Sequence, residues 1–388
     1  MSMPVDVILG VDAIAAPLTG IGRYALALAQ GLADHHRIDR LRFVSLLGHW
    51  VENPSFLTQA DVGGEPATRS LRSRLAENKL AVRAFQAFVP SYKGWRLRNE
   101  ASALFHSPNY FLPPFPGRSI ATVHDLSHLF YPQFHPAARV DYMNRALPES
   151  LRRADHLITD AESVRQEIID YYNWPAERVT AVPLGVASTF RPHTDDEILP
   201  VLQRLGLRNR AYCLYVGTVE PRKNLDRLLT AYEMLPASVR TRYPLIVAGA
   251  YGWQSDPIHQ RMSRGADAGW LHYVSFIPQV DLPKLYAGAR LFVYPSLYEG
   301  FGLPVLEAMA SGVPILTSNL SSLPEVVGTA ARLVNPHDTA DIHAGLSSAL
   351  EDDDWLLNAG RKGIVRATKF CWETCVNKTV KVYMKVLK

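Results

Sequence analysis

Two doubly wound α/β domains facing a deep cleft are the fold class this sequence predicts, and three observations predict it. The chain has 388 residues, more than one hydrophobic core comfortably serves. Short apolar runs alternate with helical patterns along most of its length, the arrangement of parallel sheets covered on both faces. Finally, the runs fall into two sets, separated by a Pro-rich, polar stretch near 187–200.

Taken in order, the first set of candidate strands is "VDVILGVD" (5–12), "LRFVSLL" (41–47), "ALFHS" (103–107), "SIATVHD" (119–125), "HLITD" (156–160) and "VTAVP" (179–183). The second is "YCLYVG" (212–217), "PLIVAG" (244–249), "LHYVSFI" (271–277), "RLFVYP" (290–295), "VPILTS" (313–318) and "ARLVN" (331–335). Helical patterns sit between most of them. The last 35 residues read as helix, with lysines near the end where they suit the helix dipole. The expected units are 1–188, 189–368 and a C-terminal helix at 369–388, with a hinge near 187–200. In doubly wound sheets ligands sit at the carboxyl ends of the strands, so the cleft between domains is the default site.

Composition narrows the class. Hydrophobic residues make up 47% and charged residues 20%, and the net charge of +4 argues against a nucleic-acid coat. Cys213, Cys371 and Cys375 do not make a disulfide framework. Cys371 and Cys375 are four apart but lack the second Cys or His pair that zinc needs. The N-terminal stretch has no basic region, and Asp6 and Asp12 interrupt its apolar run, so it reads as a first strand and not as a signal peptide. No run reaches 18 apolar residues, so a cytoplasmic protein without a membrane span is expected. One segment stands apart. Residues 69–98 carry eight basic residues and one acid, Glu77, with Leu71, Leu75, Val82, Phe85 and Val89 at helical spacing. Such a helix either lies on anionic lipid or presents a solvated face over a packed stripe.

In "PLTGIGRYALALAQGL" (17–32), Gly20, Gly22 and Ala25 satisfy G-x-G-x-x-A, a dinucleotide fingerprint. Two features count against that reading. "AIAAPLT" separates the first strand from Gly20, and the second strand ends in Gly48-His49-Trp50 with no acid for a ribose. What survives is the physics of the turn: backbone that a ligand can approach, and a helix starting near Arg23 whose N–H groups suit an anion. A plain strand–loop–helix turn is the alternative.

The second half holds the denser constellation. "YVGTVEPRKNLDRLLTAY" (215–232) places Arg222 and Lys223 between a strand end and a helix start, where two cations suit a diphosphate. A solvated basic turn is the competing reading. "YPSLYEGFGLPVLEAMASGVPILTSNLSSLPE" (294–325) places Glu299 on a loop after a strand and Glu307 one turn into the following helix. Gly300 and Gly302 break the loop and free peptide N–H groups for phosphate or hydroxyl oxygens. Two carboxylates beside such a nest suit a sugar nucleotide, although a capped helix with surface acids has the same letters. "EDDDW" (351–355) reads as a solvated acidic face. No Asp-x-Asp pair follows a strand, so no essential metal and no cofactor are expected.

The Glu-x7-Glu arrangement of "EGFGLPVLE", followed by "AMASGVPILTSNLSSLPEVVG", resembles the signature of retaining glycosyltransferases of family 4. "YVGTVEPRKN", "TVHDL" and "TGIGRYA" match in the expected order, from about residue 5 to the final helix. The resemblance implies the two-Rossmann-domain architecture known as GT-B, with the last helix crossing back to the first domain. It implies that Arg222 and Lys223 bind the donor diphosphate and that Glu307 holds the nucleotide ribose. It puts Glu299 against the donor sugar, with Gly300, Phe301, Gly302 and Leu303 as backbone donors. His124 would face the transferred sugar, with Asp125 either orienting it or capping the next turn. Gly20, Ile21 and Gly22 would line the acceptor side near the phosphates. "SFIPQVD" (275–281), with Phe276, Ile277 and Pro278, would grip the base. Where many members carry a basic residue after the "VG", this chain has Thr218, which puts more weight on Arg222 and Lys223.

The implied activity is transfer of a hexose with retention, from GDP-mannose or GDP-rhamnose first and a UDP sugar second. The implied acceptor is a polyprenyl-linked glycan of O-antigen-type polysaccharide at the inner membrane face. A front-face attack, with a departing phosphate oxygen taking the acceptor proton, is favoured over a carboxylate nucleophile. A sugar-nucleotide 2-epimerase on the same architecture and a non-catalytic sugar-nucleotide-binding protein are the alternatives.

Overall fold

The computed structural model describes residues 5–16, 18–58 and 79–388. The first sheet is built from β1 (Val5–Gly10), β2 (Ile38–Val44), β3 (Trp50–Val51), β4 (Leu104–Ser107), β5 (Ser119–Val123), β6 (His156–Thr159) and β7 (Val179–Ala181). Their spatial order is β3-β2-β1-β4-β5-β6-β7. All neighbours pair in parallel except β2 and β3. The second sheet is built from β8 (Cys213–Val216), β9 (Leu245–Ala248), β10 (Leu271–Val274), β11 (Leu291–Tyr294), β12 (Ile315–Ser318) and β13 (Ala331–Val334). It is wholly parallel in the order β10-β9-β8-β11-β12-β13. The central strands β4, β5, β6, β8, β9, β11 and β12 are buried along most or all of their length, which is why each reads in sequence as an apolar run.

Each sheet reverses its winding once, between β1 and β4 and between β8 and β11. Crevices at such reversals lie outside the carboxyl ends of the strands. Both expected strand sets are present. The short antiparallel edge β3 was not foreseen, because two residues carry no periodicity.

The first helix spans Gly20–Ala33, three residues earlier than its expected start near Arg23. Thr19 caps it, accepting from the Gly22 N–H at 3.1 Å, and this offsets the poor helix propensity of the glycines. Helix Asp195–Arg204 opens the second unit behind a Thr194–Glu197 capping box.

The chain end is two helices, Asp353–Ala367 and Trp372–Val386; the last 35 residues read as helix, and the break between the two falls where the separate C-terminal unit was expected to begin, at 369. The break at Thr368–Cys371 exists because the chain crosses there. Val186 N donates to Phe370 O at 3.2 Å and Val186 bridges Cys371, so both interdomain passages run side by side. The last helix packs on Gly20–Ala33 and on β6. Its Tyr383 hydroxyl meets His106 Nδ1 at 2.7 Å while His106 Nε2 meets Thr122 at 2.9 Å. Burial lowers His106 to about 3, so a neutral ring makes one of these bonds as donor and the other as acceptor. The acids of the "EDDDW" run are exposed, the solvated face the sequence predicts, and two of them also serve the fold. Asp352 caps its helix, accepting from Trp355 N at 2.8 Å, and Asp353 pairs with Arg290 at 2.5 Å.

The basic segment is helical over Lys79–Arg96. Arg69, Leu71, Arg72, Arg74, Leu75 and Glu77 lie outside the described residues, as do the side chains of Lys79, Val82, Arg83 and Phe85. Lys93 departs from a solvated face: it is buried, with Nζ 2.8 Å from Asp12. Beside it, Phe88 and Trp95 are 60% and 56% exposed and stack through Tyr92, and Arg98 lies 4.5 Å over the Trp95 ring. Leu46, Leu47 and Trp50 are exposed on the adjoining hairpin, whose Gly48 abuts Arg96. Among the described residues no helix is long and apolar enough to cross a membrane.

Candidate active site

The second domain supplies one wall. β8 runs out into a turn at Pro221–Lys223, and Asn224 follows in the left-handed region with φ 62°. Asparagine tolerates that conformation better than most residues. Its amide donates to Pro295 O at 2.9 Å and to Pro336 O at 2.7 Å, and Leu297 N donates to Arg222 O at 2.9 Å. The turn is thereby pinned to the loop after β11. Lys223 Nζ lies 2.6 Å from Glu299 and Arg222 lies 3.5 Å from it, with Glu220 holding Arg222 from behind at 2.8 Å. Ser296 Oγ donates to Glu299 at 2.7 Å. Burial alone would raise the Glu299 pKa, but Lys223 and then Arg222 hold it below the ordinary carboxylate value. Burial likewise works against the Arg222 charge, and Glu299 and Glu220 more than restore it.

Downstream, the loop is fixed by serines. Glu299 N donates to Ser321 Oγ at 2.9 Å, and Ser322 Oγ donates to the Glu299 and Phe301 carbonyls, each at 2.9 Å. Gly302, with φ +103°, turns the chain into helix Leu303–Ala310. The peptide N–H groups of Gly300, Phe301, Gly302 and Leu303 make no hydrogen bond among the described residues. One turn into the helix, buried Glu307 accepts from the Tyr286 hydroxyl at 3.0 Å. Its other oxygen is 2.6 Å from Arg23 of the first domain. Burial raises the Glu307 pKa, and Arg23 offsets this only in part.

The first domain closes over this wall. A Cβ on Gly20 would lie 3.4 Å from Leu303 Cδ1, so the starts of the two helices meet. The N–H groups of Gly20 and Ile21 lack intrahelical partners, as at any helix start. Gly22 serves packing instead, since a Cβ there would lie 2.8 Å from Ala13 O. Gly300 makes the tightest approach: its Cβ would lie 2.0 Å from the His124 carbonyl oxygen. His124 itself has both ring nitrogens engaged, Nδ1 with Asp160 at 2.7 Å and Nε2 with Pro108 O at 2.8 Å. Burial lowers the His124 pKa, but Asp160 more than reverses this, so the ring holds its proton to higher pH than a free histidine. Asp125 is the turn cap, accepting from Ser127 N at 3.0 Å, and Asp160 is the carboxylate that orients His124. Two further contacts tie the domains. Tyr298 OH donates to Glu167 at 2.5 Å, and Glu325 accepts from Glu162 N at 2.9 Å, capping helix Glu162–Tyr172 across the cleft.

The structure thus brings Gly20, Ile21, His124, Arg222, Lys223, Glu299, Gly300, Leu303 and Glu307 to one crevice. Thr218 stands half-buried at the mouth of β8. Phe276, Ile277 and Pro278 follow the edge strand β10, two strands away from β8, and Phe276 is 73% exposed on the rim. Sequence reasoning missed Arg23, Asp160, Glu220 and Tyr286 as site residues. Asp160 ends "HLITD", and the pairing of Val123 with Thr159 sets it beside His124, a register invisible in one sequence. A separate cavity of about 400 Å³, lined by Arg290, Ser311, Gly312 and Ile364 among others, opens at the amino ends of β8, β11 and β12, away from this crevice.

The chain is similar to known proteins along nearly its whole length. Residues 18–190 match the family described as Glycosyltransferase Family 4, and residues 203–366 match Glycosyl transferases group 1. O-antigen chain mannosyltransferase B of Escherichia coli is 41% identical over 377 residues, covering 97% of this chain and 99% of that one. The serotype-specific mannosyltransferase WbdA of Escherichia coli is 32% identical over 282 residues, 70% of this chain but 34% of that longer protein. Among solved structures, sucrose-phosphate synthase from Thermosynechococcus elongatus superposes with a TM-score of 0.69 over 100% of this chain and 99% of its own, at 20% identity. That likeness is one of fold.

Proposed function

The chain belongs to the glycosyltransferases, with matches to the Glycosyltransferase Family 4 and Glycosyl transferases group 1 models, and from that premise we propose that it transfers mannose from GDP-mannose to a polyprenyl-linked glycan in O-antigen-type polysaccharide synthesis. GDP-rhamnose is the second donor and a UDP sugar the third. The observation that carries the reading is the pairing of Lys223 and Arg222 on buried Glu299 beside four unpaired peptide N–H groups. Its similarity over nearly its whole length to an O-antigen mannosyltransferase supports the sugar and the acceptor class.

In this reading the diphosphate lies between the Pro221–Lys223 turn and the facing starts of helices Gly20–Ala33 and Leu303–Ala310. Glu299 takes hydroxyls of the donor sugar, Glu307 takes those of the ribose, and the loop at Phe276–Pro278 takes the base. The acceptor hydroxyl attacks the anomeric carbon on the face from which the diphosphate departs. A C–O bond to the acceptor forms, the bond to the phosphate oxygen breaks, and that oxygen takes the acceptor proton, so configuration is retained. The negative charge that develops on the diphosphate is met by Lys223, Arg222 and the peptide N–H groups, and one well-aimed donor of this kind contributes about 3–4 kcal/mol. His124, locked by Asp160, is a positioning residue whose carbonyl sets the approach of Gly300. The exposed patch of Phe88, Trp95, Leu46, Leu47 and Trp50, with Arg96 and Arg98 beside it, suits the anionic surface on which a lipid-linked acceptor is presented.

The test is incubation of purified protein with labelled GDP-mannose, GDP-rhamnose and UDP sugars, with and without a polyprenyl-linked glycan. Label on the lipid supports the proposal. A changed nucleotide sugar without acceptor favours an epimerase, and binding without turnover favours a sensor.

A further inference from the structure

Glu307, assigned above to the ribose, is already occupied by a cation from the other domain. Arg23 Nη1 lies 2.6 Å from its carboxylate. Arg23 sits one turn inside helix Gly20–Ala33, close to the unpaired N–H groups at its start. Its Nε is buried and has no hydrogen-bond partner among the described residues, and the same is true of Arg222 Nε. A buried donor left unmade is costly, so both guanidinium groups retain an unspent N–H beside the crevice. The crevice therefore gathers three cations and two helix starts around Glu299 and Glu307. Every one of these positive groups is suited to phosphate oxygens, and both carboxylates are suited to sugar hydroxyls.

We propose that Arg23 is a partner-exchanging residue: it neutralises Glu307 while the site is empty, and it turns to the diphosphate when the ribose hydroxyls take Glu307. The inference rests on the nucleotide-sugar reading above and adds a residue to it. The exchange couples the two halves of the nucleotide. A ribose alone must displace Arg23 with nothing to receive the freed cation, and a diphosphate alone must draw Arg23 from a carboxylate left without new donors. A ligand with both parts satisfies every group, so Arg23 selects for the nucleoside diphosphate.

Pyrophosphate and GDP titrated by calorimetry into wild type, Arg23→Ala, Arg23→Lys and Glu307→Gln test this, with UDP run in parallel. Arg23→Ala is expected to weaken GDP by about tenfold, the loss of one charge-assisted hydrogen bond, and pyrophosphate by less, because without a ribose Arg23 stays on Glu307. Arg23→Lys should recover part of that loss. Glu307→Gln is the decisive variant. It releases Arg23, so pyrophosphate should bind several-fold tighter than in wild type while GDP binds more weakly. Weakening of both probes to the same degree in Glu307→Gln would mark the pair as a structural brace and overturn the inference, as would unchanged affinities in Arg23→Ala. Wild-type protein that binds neither GDP nor UDP would instead overturn the nucleotide-sugar reading itself, and this inference with it.

Discussion

Glu299 and Glu307 are the same residue type, eight positions apart and both buried, yet their acidities move in opposite directions. Loss of water pushes both upward. Glu299 is brought below its ordinary value by Lys223 and Arg222, which belong to its own domain and approach to 2.6 and 3.5 Å. Glu307 stays raised, because its cation is the single guanidinium of Arg23 reaching across the cleft. The first cluster is finished when the second domain folds. The second is finished only when the two domains meet. One carboxylate thus marks a preformed half-site and the other reports closure.

The largest effects should come from breaking the preformed cluster. Lys223→Ala and Glu299→Ala are each expected to lower kcat by orders of magnitude with the circular dichroism spectrum preserved. Near-normal turnover in both purified variants would remove them from the chemistry. Next comes closure. Gly300→Ala places a methyl 2.0 Å from a carbonyl oxygen of the facing domain, a clash between backbones that no side-chain rotation relieves. Turnover should fall about a hundredfold, the scale set by displacing reacting groups by about 1 Å. Scattering should show a more open particle, and an unchanged profile with full activity would contradict the close approach.

Glu325→Ala removes a helix cap supplied across the cleft, so the closed arrangement should lose about 1 kcal/mol. The expected reading is a modest rise in donor KM with kcat largely kept, and a matching shift toward the open form in scattering.

The smallest effect is a pH dependence. Burial raises Glu167 to about 7, and its partner Tyr298 lies beside Glu299. A carboxyl with a raised folded pKa holds more protons folded than unfolded, so stability falls as pH climbs from its ordinary value of 4.5 to about 7. Glu167→Gln should flatten the thermal midpoint across that window. A slope identical to wild type would assign the dependence to another group.

How much of this was legible follows the same division between local and assembled features. Buried parallel strands announce themselves as apolar runs, so both sheets were readable, whereas β3 at an edge was not. Glu299, Glu307, Arg222 and Lys223 sit in short motifs whose spacing already places them at strand ends and helix starts. Arg23 and Glu307 are 284 positions apart, and nothing short of the domain packing joins them. Lys93 looked like one of a row of surface cations, and only the fold brings Asp12 to it from 81 positions away. The break at Thr368–Cys371 falls at the expected start of the C-terminal helix, but its cause was hidden: it is the neighbouring passage of Val186, far upstream. Asp125 adjoins His124 in sequence, but strand pairing gives the orienting role to Asp160.

The most direct test of the central claim is a crystal structure of the protein with GDP-mannose or its unreactive analogue. The diphosphate should lie within hydrogen-bond distance of Lys223 and Arg222, with ribose hydroxyls on Glu307. A diphosphate bound elsewhere, with Lys223 still paired to Glu299 and Glu307 untouched by the nucleotide, would contradict the account.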